Sequence, residues 1–191
     1  MNFLQYLING VSIGAVYAII ALGYTMVYGI AKMLNFAHGD VIMVGAYMSF
    51  SVTTYLGLPT VAGIAVAVLV CTLLGMLIEG LAYKPLRGVP SLAVLITAIG
   101  VSYFLQNAAQ LIWGSAPKNF KSIVAMKPLV LFEGQLTITG EVIYTIVASV
   151  LIMVSLTLFI NKSRMGKAMR AVSEDRAAAQ LMGINVNQTI S

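Results

Sequence analysis

The side chains with the most chemical potential lie in one short polar segment, residues 35–40 (NFAHGD), between two apolar stretches. His38, the only histidine of the chain, is two positions before Asp40, and Cys71 is the only cysteine. Protein zinc sites use three or four side-chain ligands, and this segment supplies two. No nucleophile with an adjacent base is evident either. The segment therefore predicts neither a metal site nor a catalytic site.

Two interpretations of residues 35–40 remain open. In the first, the segment is a broken helix or helix start that lines a polar path, because ionisable groups at membrane depth face a cavity or a bundle interior. Its candidate translocation residues are then Asn35, His38, Gly39 and Asp40. In the second, the segment is a cytoplasmic turn held by Asn35, His38 and Asp40. In both, Asn35 can cap a helix that begins near Phe36.

A second polar group lies in an apolar stretch further along the chain and consists of Tyr103, Gln106, Asn107 and Gln110. Tyr103, Asn107 and Gln110 are spaced i, i+4 and i+7, which places them on one face of a helix. Side-chain amides in membrane helices commonly hold neighbouring helices together. They can also line a solute path, so Asn107 and Gln110 join the candidate translocation residues.

The third group is a charged segment, residues 163–185 (SRMGKAMRAVSEDRAAAQLMGIN). Its Gly166-Lys167 pair suggests a phosphate-binding loop, but position 161 is Asn and position 168 is Ala, so the required glycine and hydroxyl are missing. This chain is therefore not expected to bind ATP itself.

The same segment predicts a short helix, Glu174–Met182. Ser173 is a suitable N-cap, and Glu174 and Asp175 then complement the helix dipole in the first turn. Alanines follow, and Gly183 stands at the C′ position. Such a helix is about 13 Å long and marginal in isolation, so we expect it to dock on another protein. The alternative is a basic juxtamembrane segment that sets topology and touches anionic lipid.

The amino-acid composition indicates that membrane-spanning helices position these three polar groups. The chain has 191 residues, of which 60% are hydrophobic and 9% charged, whereas soluble domains carry about 25% charged residues. A membrane helix needs about 20 predominantly apolar residues. The predicted fold is an all-α polytopic membrane helix bundle of about five spans plus a cytoplasmic coupling helix. The spans are Phe3–Ala31, Val41–Leu58, Thr60–Tyr83, Leu92–Trp113 and Val142–Ile160, the second being the shortest.

The distribution of basic residues predicts the orientation. With the N-terminus outside, eight basic residues lie on the cytoplasmic side and three outside, in agreement with the positive-inside rule. The eight are Lys32, Lys84, Arg87, Lys162, Arg164, Lys167, Arg170 and Arg176, and the three are Lys118, Lys121 and Lys127. The net charge of +5 therefore encodes orientation and predicts no nucleic-acid partner. Glu79, near the end of the third span, is expected to pair with Lys84 or Arg87.

The domain organisation follows from these assignments. Residues 1–162 form the membrane-spanning region, with a polar break at 32–40 and an external loop at 114–140. Residues 163–185 form the cytoplasmic coupling segment. Residues 186–191 are the start of a remainder that we expect to continue in a longer protein.

Two motifs resemble those of the high-affinity branched-chain amino acid permeases of ATP-binding-cassette importers. The first is NFAHGD at 35–40 followed by Gly45-Ala46-Tyr47, after an opening with Gly10, Gly14, Tyr17-Ala18 and Ala21-Leu22-Gly23. The second is GKAMRAVS at 166–173, continued by AAAQLMGI at 177–184. The resemblance covers the whole chain, which is similar to about the first two-thirds of such a permease.

The resemblance implies a multi-pass inner-membrane permease subunit that moves branched-chain amino acids into a bacterium. The implied partners are a homologous permease, two ATPase subunits that hold the ATP and magnesium, a periplasmic binding protein and the bilayer. This chain then binds no cofactor and is no enzyme. The implied ATPase-coupling residues are Gly166, Arg170, Ser173, Glu174, Asp175, Ala178, Leu181 and Gly183.

The chain departs from the broader E-A-A…G permease signature at one point. Glu174 is followed by Asp175 and Arg176 rather than by two alanines, although Gly183 still lies nine residues after Glu174. Two alternative functions remain: an importer for urea or short amides, which shares the NFAHG-type segment, and an ion-driven transporter or channel. The second alternative requires a chain of buried ionisable groups, and only His38, Asp40 and Glu79 are available.

Overall fold

The computed structural model describes residues 2–119, 129–131 and 136–190, and these residues are mainly helical. The helices are α1 (Asn2–Ala31), α2 (His38–Thr54), α3 (Thr60–Ile78), α4 (Ser91–Trp113), α5 (Gly140–Lys162), α6 (Arg164–Glu174), α7 (Arg176–Leu181) and α8 (Val186–Ile190). A π-helical turn, Glu79–Tyr83, and a 3₁₀ turn, Lys84–Leu86, extend α3. The predicted all-α class is confirmed.

A small β-hairpin is the exception to the helical architecture. Strands β1 (Leu129–Leu131) and β2 (Leu136–Ile138) pair antiparallel, with Leu129 opposite Ile138 and Leu131 opposite Leu136. The hairpin lies in the predicted external loop, 114–140. The rest of that loop from 120 to 128 and from 132 to 135, including Lys121 and Lys127, lies outside the described residues.

Four helical segments among the described residues are long and apolar enough to cross a membrane: Phe3–Ala31, Thr60–Leu86, Leu92–Trp113 and Gly140–Lys162. They correspond to four of the five predicted spans. The second predicted span, Val41–Leu58, contains α2, which has 17 residues. At about 1.5 Å per residue, α2 is about 26 Å long, slightly less than the thickness of a bilayer core. Its full crossing stays a prediction.

The described residues form two compact units, one built from α2, α3 and α4 and the other from α1, the hairpin and α5–α8. In the first unit, glycines allow α2 and α3 to pack closely. A Cβ at Gly45 would lie 2.7 Å from Cys71 Sγ, and a Cβ at Gly63 would lie 2.9 Å from Thr53 Cγ2. Close backbone approach at small residues is a usual way for membrane helices to associate.

Helix α4 is held against α2 by aromatic and polar contacts in the same unit. Trp113 stacks on Tyr47 with ring centroids 4.9 Å apart. Its indole N–H also donates to Ser51 Oγ at 2.8 Å. An indole that buries its ring and pairs its N–H contributes both apolar area and a directional contact. This contact fixes the C-terminal end of α4 against α2, at a distance along α2 from the polar segment 35–40.

Candidate coupling surface and polar cluster

The second unit places the charged segment directly after the α5 span. Ser163 has an extended backbone, and its Oγ accepts a hydrogen bond from the Gly166 N–H at 2.8 Å, which caps α6. Gly166 is buried against the last turns of α5, where a Cβ would overlap the Ile160 carbonyl. The chain therefore turns at Ser163, and Gly166 permits the start of α6 to pack closely on the end of α5.

The boundary between α6 and α7 differs from the sequence prediction. The cap of α7 is Asp175, whose Oδ1 accepts from the N–H groups of Ala177 at 2.8 Å and Ala178 at 3.1 Å. Ser173 lies inside α6 instead, and its hydroxyl donates to the Arg170 carbonyl at 2.7 Å. The expected N-cap at Ser173 was wrong, as was the expected start of the helix at Glu174. The helix breaks at Asp175, where the backbone is extended, and α6 continues through Val172, which is buried.

The predicted end of this helix is confirmed. Gly183 has a φ of 82°, a conformation that favours glycine at C′. The Gly183 N–H donates to the Gln180 carbonyl at 3.0 Å, and the Ile184 N–H donates to the Ala179 carbonyl at 3.1 Å. These two hydrogen bonds form a Schellman motif. Helix α7 is thus capped at both ends although it has only six residues.

One side of α7 presents apolar side chains outside the candidate membrane spans. Leu181 is 89% exposed and Met182 is 82% exposed, and Ala178 is exposed as well. Ala178, Leu181 and Met182 are spaced i, i+3 and i+4, so they share one face, which we call the α7 ridge. Ala179, on another side of α7, is buried. The helix is therefore anchored on one side and open on the other.

The remaining predicted coupling residues occupy different positions. Gly166 is buried, and the Arg170 guanidinium donates to Asn161 Oδ1 at 3.3 Å on α5. Glu174 is the exposed last residue of α6. Sequence reasoning missed Met182, which its spacing from Ala178 could have identified. It also missed the role of Arg176, which donates to the Ile30 carbonyl at 3.4 Å.

The first unit contains the polar segment 35–40. Asn35 Oδ1 accepts from the Ala37 N–H at 3.1 Å and from the Tyr83 hydroxyl at 2.7 Å. Helix α2 starts at His38, not near Phe36 as expected, because the Asn35 carboxamide folds residues 35–37 into a turn. The segment is therefore fastened to the turn that follows α3.

Asp40 is buried in the first turn of α2, with 8% of its surface exposed. It accepts a hydrogen bond from Gln106 Nε2 on α4 at 3.0 Å. An acid in the first helical turn is also stabilised by the helix dipole. These contacts bring Gln106 to the segment, and the predicted amides, Asn107 and Gln110, are exposed as Gln106 is. Asn107 donates to the Tyr103 carbonyl of its own helix at 2.7 Å.

An ion pair completes the polar cluster, which consists of Asn35, Asp40, Glu79, Tyr83, Arg87 and Gln106. Arg87 bonds to Glu79, one of the two partners expected for that carboxylate. The π-helical turn carries Glu79 and Tyr83 together, so it supplies both contacts at this end of α3. Among the described residues, no group of three His, Cys, Asp or Glu side chains could hold a metal ion. The cluster consists of paired polar groups that hold neighbouring segments together.

Comparison with known proteins decides the family. Residues 6–191 match the family model described as "Branched-chain amino acid transport system / permease component". This chain belongs to that permease family. The match covers both the polar segment 35–40 and the charged segment 163–185.

Relatives within the permease family are similar over the whole chain. The high-affinity branched-chain amino acid transport system permease protein BraD of Pseudomonas aeruginosa is 44% identical over 100% of this chain, and LivH of Escherichia coli is 42% identical over the same share. A probable branched-chain amino acid transport permease of Methanocaldococcus jannaschii is 30% identical over 90% of this chain and 55% of its own length. The chain spans 65% of the length of the first two relatives. No solved structure matches it.

Proposed function

We propose that this chain is part of a permease subunit of an ATP-binding-cassette importer that moves branched-chain amino acids across the inner membrane. The observation that carries the proposal is α7, a six-residue helix capped at both ends whose apolar ridge is exposed outside the candidate spans. The names of the permease relatives support branched-chain amino acids over urea or short amides as the solute.

In this proposal the α7 ridge inserts into a groove on an ATPase subunit. An isolated six-residue helix is unstable in water, because few of its backbone groups find partners within it. The Asp175 cap and the Schellman motif at Gly183 supply hydrogen-bond partners to backbone groups at both ends of α7. They therefore keep α7 helical before docking. A preformed ridge loses less conformational entropy on binding than a segment that must fold.

The contacts of α6 and α7 with the membrane helices would transmit movement of the ATPase. Arg176 connects α7 to the last turn of α1, and Ser163 and Gly166 join α6 to the end of α5. A ligand-driven change at the ridge can then bias two arrangements of the spans. ATP and magnesium would be bound by the ATPase partners, and a homologous permease and a periplasmic binding protein would complete the importer.

An ion-driven mechanism finds less support in the polar cluster. Transporters of that class use chains of ionisable groups within the membrane. Here Glu79 is paired with Arg87, and Asp40 accepts from the neutral amide of Gln106. A neutral amide stabilises a carboxylate without offering a next site for a proton. The cluster fits a role in holding the translocation region, for which Asn35, His38, Gly39 and Asp40 remain the candidates, together with Asn107 and Gln110.

Co-purification with candidate ATPase subunits tests the proposal. The full chain and its variants Ala178→Trp and Leu181→Asp would be expressed in membranes together with each ATPase. We expect the unchanged chain to retain its ATPase and each variant to retain at most one tenth as much, because loss of a hot-spot residue at the centre of an interface costs about 2 kcal/mol or more.

Gln180→Asp is the matched control for Leu181→Asp. Gln180 is exposed on the same helix but points about 100° away from Leu181, and the added charge is identical. Equal ATPase loss in the two Asp variants, with equal membrane insertion, would show that charge on α7 matters and that the ridge does not.

A further inference from the structure

Two depressions on α6 share Arg170 as a lining residue. The first is a polar depression of about 260 Å³ on α6, lined by Lys167, Arg170, Ala171 and Glu174. The second is a crevice of about 130 Å³ lined mainly by apolar groups of α1, α5 and α6. Its lining residues are Thr25, Met26, Gly29, Ile30, Ile160, Met169, Arg170 and Ser173.

The crevice lies at the ends of two candidate membrane spans. The candidate span of α1 runs to Ala31, and that of α5 runs to Lys162. The crevice is lined by Met26 and Ile30 near the end of the first span and by Ile160 near the end of the second. Lipid headgroups and the first methylene groups of acyl chains occupy this depth. The polar depression occupies the same stretch of α6 on a different face, and Arg170 lies between the two faces.

The charges that line the polar depression favour an anionic ligand that carries a hydrogen-bond donor next to its negative charge. Lys167 and Arg170 bring two positive charges to the polar depression, and Glu174 brings one negative charge. Arginine and lysine both bind phosphate oxygens, with arginine able to donate two hydrogen bonds at once. Arg170 is directed toward α5 by its hydrogen bond to Asn161 Oδ1 at 3.3 Å. The Glu174 carboxylate is a hydrogen-bond acceptor, which suits a headgroup hydroxyl next to the phosphate.

We propose that these two depressions form a binding site for an anionic glycerophospholipid. Its phosphate binds Lys167 and Arg170, a headgroup hydroxyl donates to Glu174, and the start of one acyl chain occupies the crevice beside Gly29. The site joins α1, α5 and α6 through one lipid molecule. This proposal does not require ATPase docking, because the apolar ridge that would dock lies on α7. Arg170 and Glu174 are also among the predicted coupling residues, so lipid retention is measured on the chain without an ATPase.

Native mass spectrometry tests the proposal directly. The full chain would be purified in detergent and titrated with dioleoyl phosphatidylglycerol or with dioleoyl phosphatidylcholine, which has the same acyl chains and no net charge. We expect tighter retention of phosphatidylglycerol. The double variant Lys167→Gln/Arg170→Gln should lose this preference, by about fivefold for each charge removed, as for other basic residues beside an anionic bilayer surface.

Matched controls separate the site from general charge and from helix packing. Lys162→Gln/Arg164→Gln removes the same charge from residues that line neither depression. Gly29→Leu fills the crevice, since open space surrounds the position of its Cβ, and Gly10→Leu makes the same change at another open position of α1. We expect retention to fall for Gly29→Leu and to stay unchanged for Gly10→Leu.

Three results would overturn the site. The first is equal retention of the two lipids by the unchanged chain. The second is an equal loss of preference in the two charge variants, which would show general attraction to basic residues. The third is equal retention by Gly29→Leu and Gly10→Leu, which would leave the crevice empty. The two pairs of variants are independent, so a variant that fails to fold does not remove the test.

Discussion

At the scale of single residues, Gly166 has the strictest steric requirement in the second unit. A Cβ at this position would overlap the backbone of Ile160, and backbone atoms cannot move aside as a side chain can. The Ser163 cap donor is the N–H of this same glycine. A substitution at Gly166 therefore disturbs both the packing and the cap of α6.

We predict that Gly166→Ala destabilises the detergent-solubilised chain by about 1–3 kcal/mol, the usual cost of overpacking. For a chain of this length, that change corresponds to a fall of roughly 2–12 °C in the midpoint of thermal unfolding. Circular dichroism during heating would measure it. Gly10→Ala is the control, because nothing lies within 4 Å of its Cβ position and alanine favours the helix. Equal midpoints for the two variants would refute the steric argument.

At the scale of elements, the features predicted correctly from sequence are those fixed by local chemistry. The C′ role of Gly183 follows from the positive φ that glycine tolerates, and apolar length identifies the long spans. The N-cap was misassigned because Ser173 and Asp175 are similarly good caps and lie two residues apart. Burial of Val172 keeps α6 helical past Ser173, and sequence periodicity alone does not show that tertiary contact.

The polar contacts of α4 could not be predicted from the sequence for a related reason. A helix rotates by about 100° per residue, so Gln106 and Asn107 point in clearly different directions. The choice between them depends on where α2 lies, and the sequence of α4 does not contain that position. Likewise, Tyr83 meets Asn35 across 48 positions of the chain, through a π-helical turn that no local signal predicted.

Helix pairing in the first unit gives an element-scale prediction. Gly45→Ala should destabilise the α2–α3 pair, because its Cβ would lie 2.7 Å from Cys71 Sγ. Cys71→Ala removes that sulfur, so the double variant should regain most of the lost stability. We expect a coupling energy of about 1 kcal/mol in the double-mutant cycle, measured by thermal unfolding.

Gly10→Ala is the control for this cycle, since it lies on α1 of the other unit with open space around its Cβ position. Combined with Cys71→Ala, it should show additive effects within about 0.5 kcal/mol. If Gly45→Ala combined with Cys71→Ala is equally additive, the two helices do not approach each other at this pair of residues.

At the scale of the whole molecule, the direction of the chain across the membrane determines whether the α7 ridge can meet an ATPase. The basic residues predict an outside N-terminus, which places Lys118 outside and Lys167 in the cytoplasm. Cys71 is the only cysteine, so Cys71→Ala gives a background in which single cysteines report their own side of the membrane. Both lysines are exposed in the structure and therefore open to a reagent.

We predict that a membrane-impermeant maleimide labels Lys118→Cys in intact spheroplasts and labels Lys167→Cys only after the membrane is broken. The α5 span separates the two positions in the chain, so one crossing suffices to place them on opposite sides. Labelling of both cysteines in broken membranes is the control for reactivity. The opposite pattern would place α6 and the α7 ridge outside, where no ATP is available, and would exclude ATPase docking. Equal labelling of both in intact spheroplasts would mean that α5 does not span the bilayer.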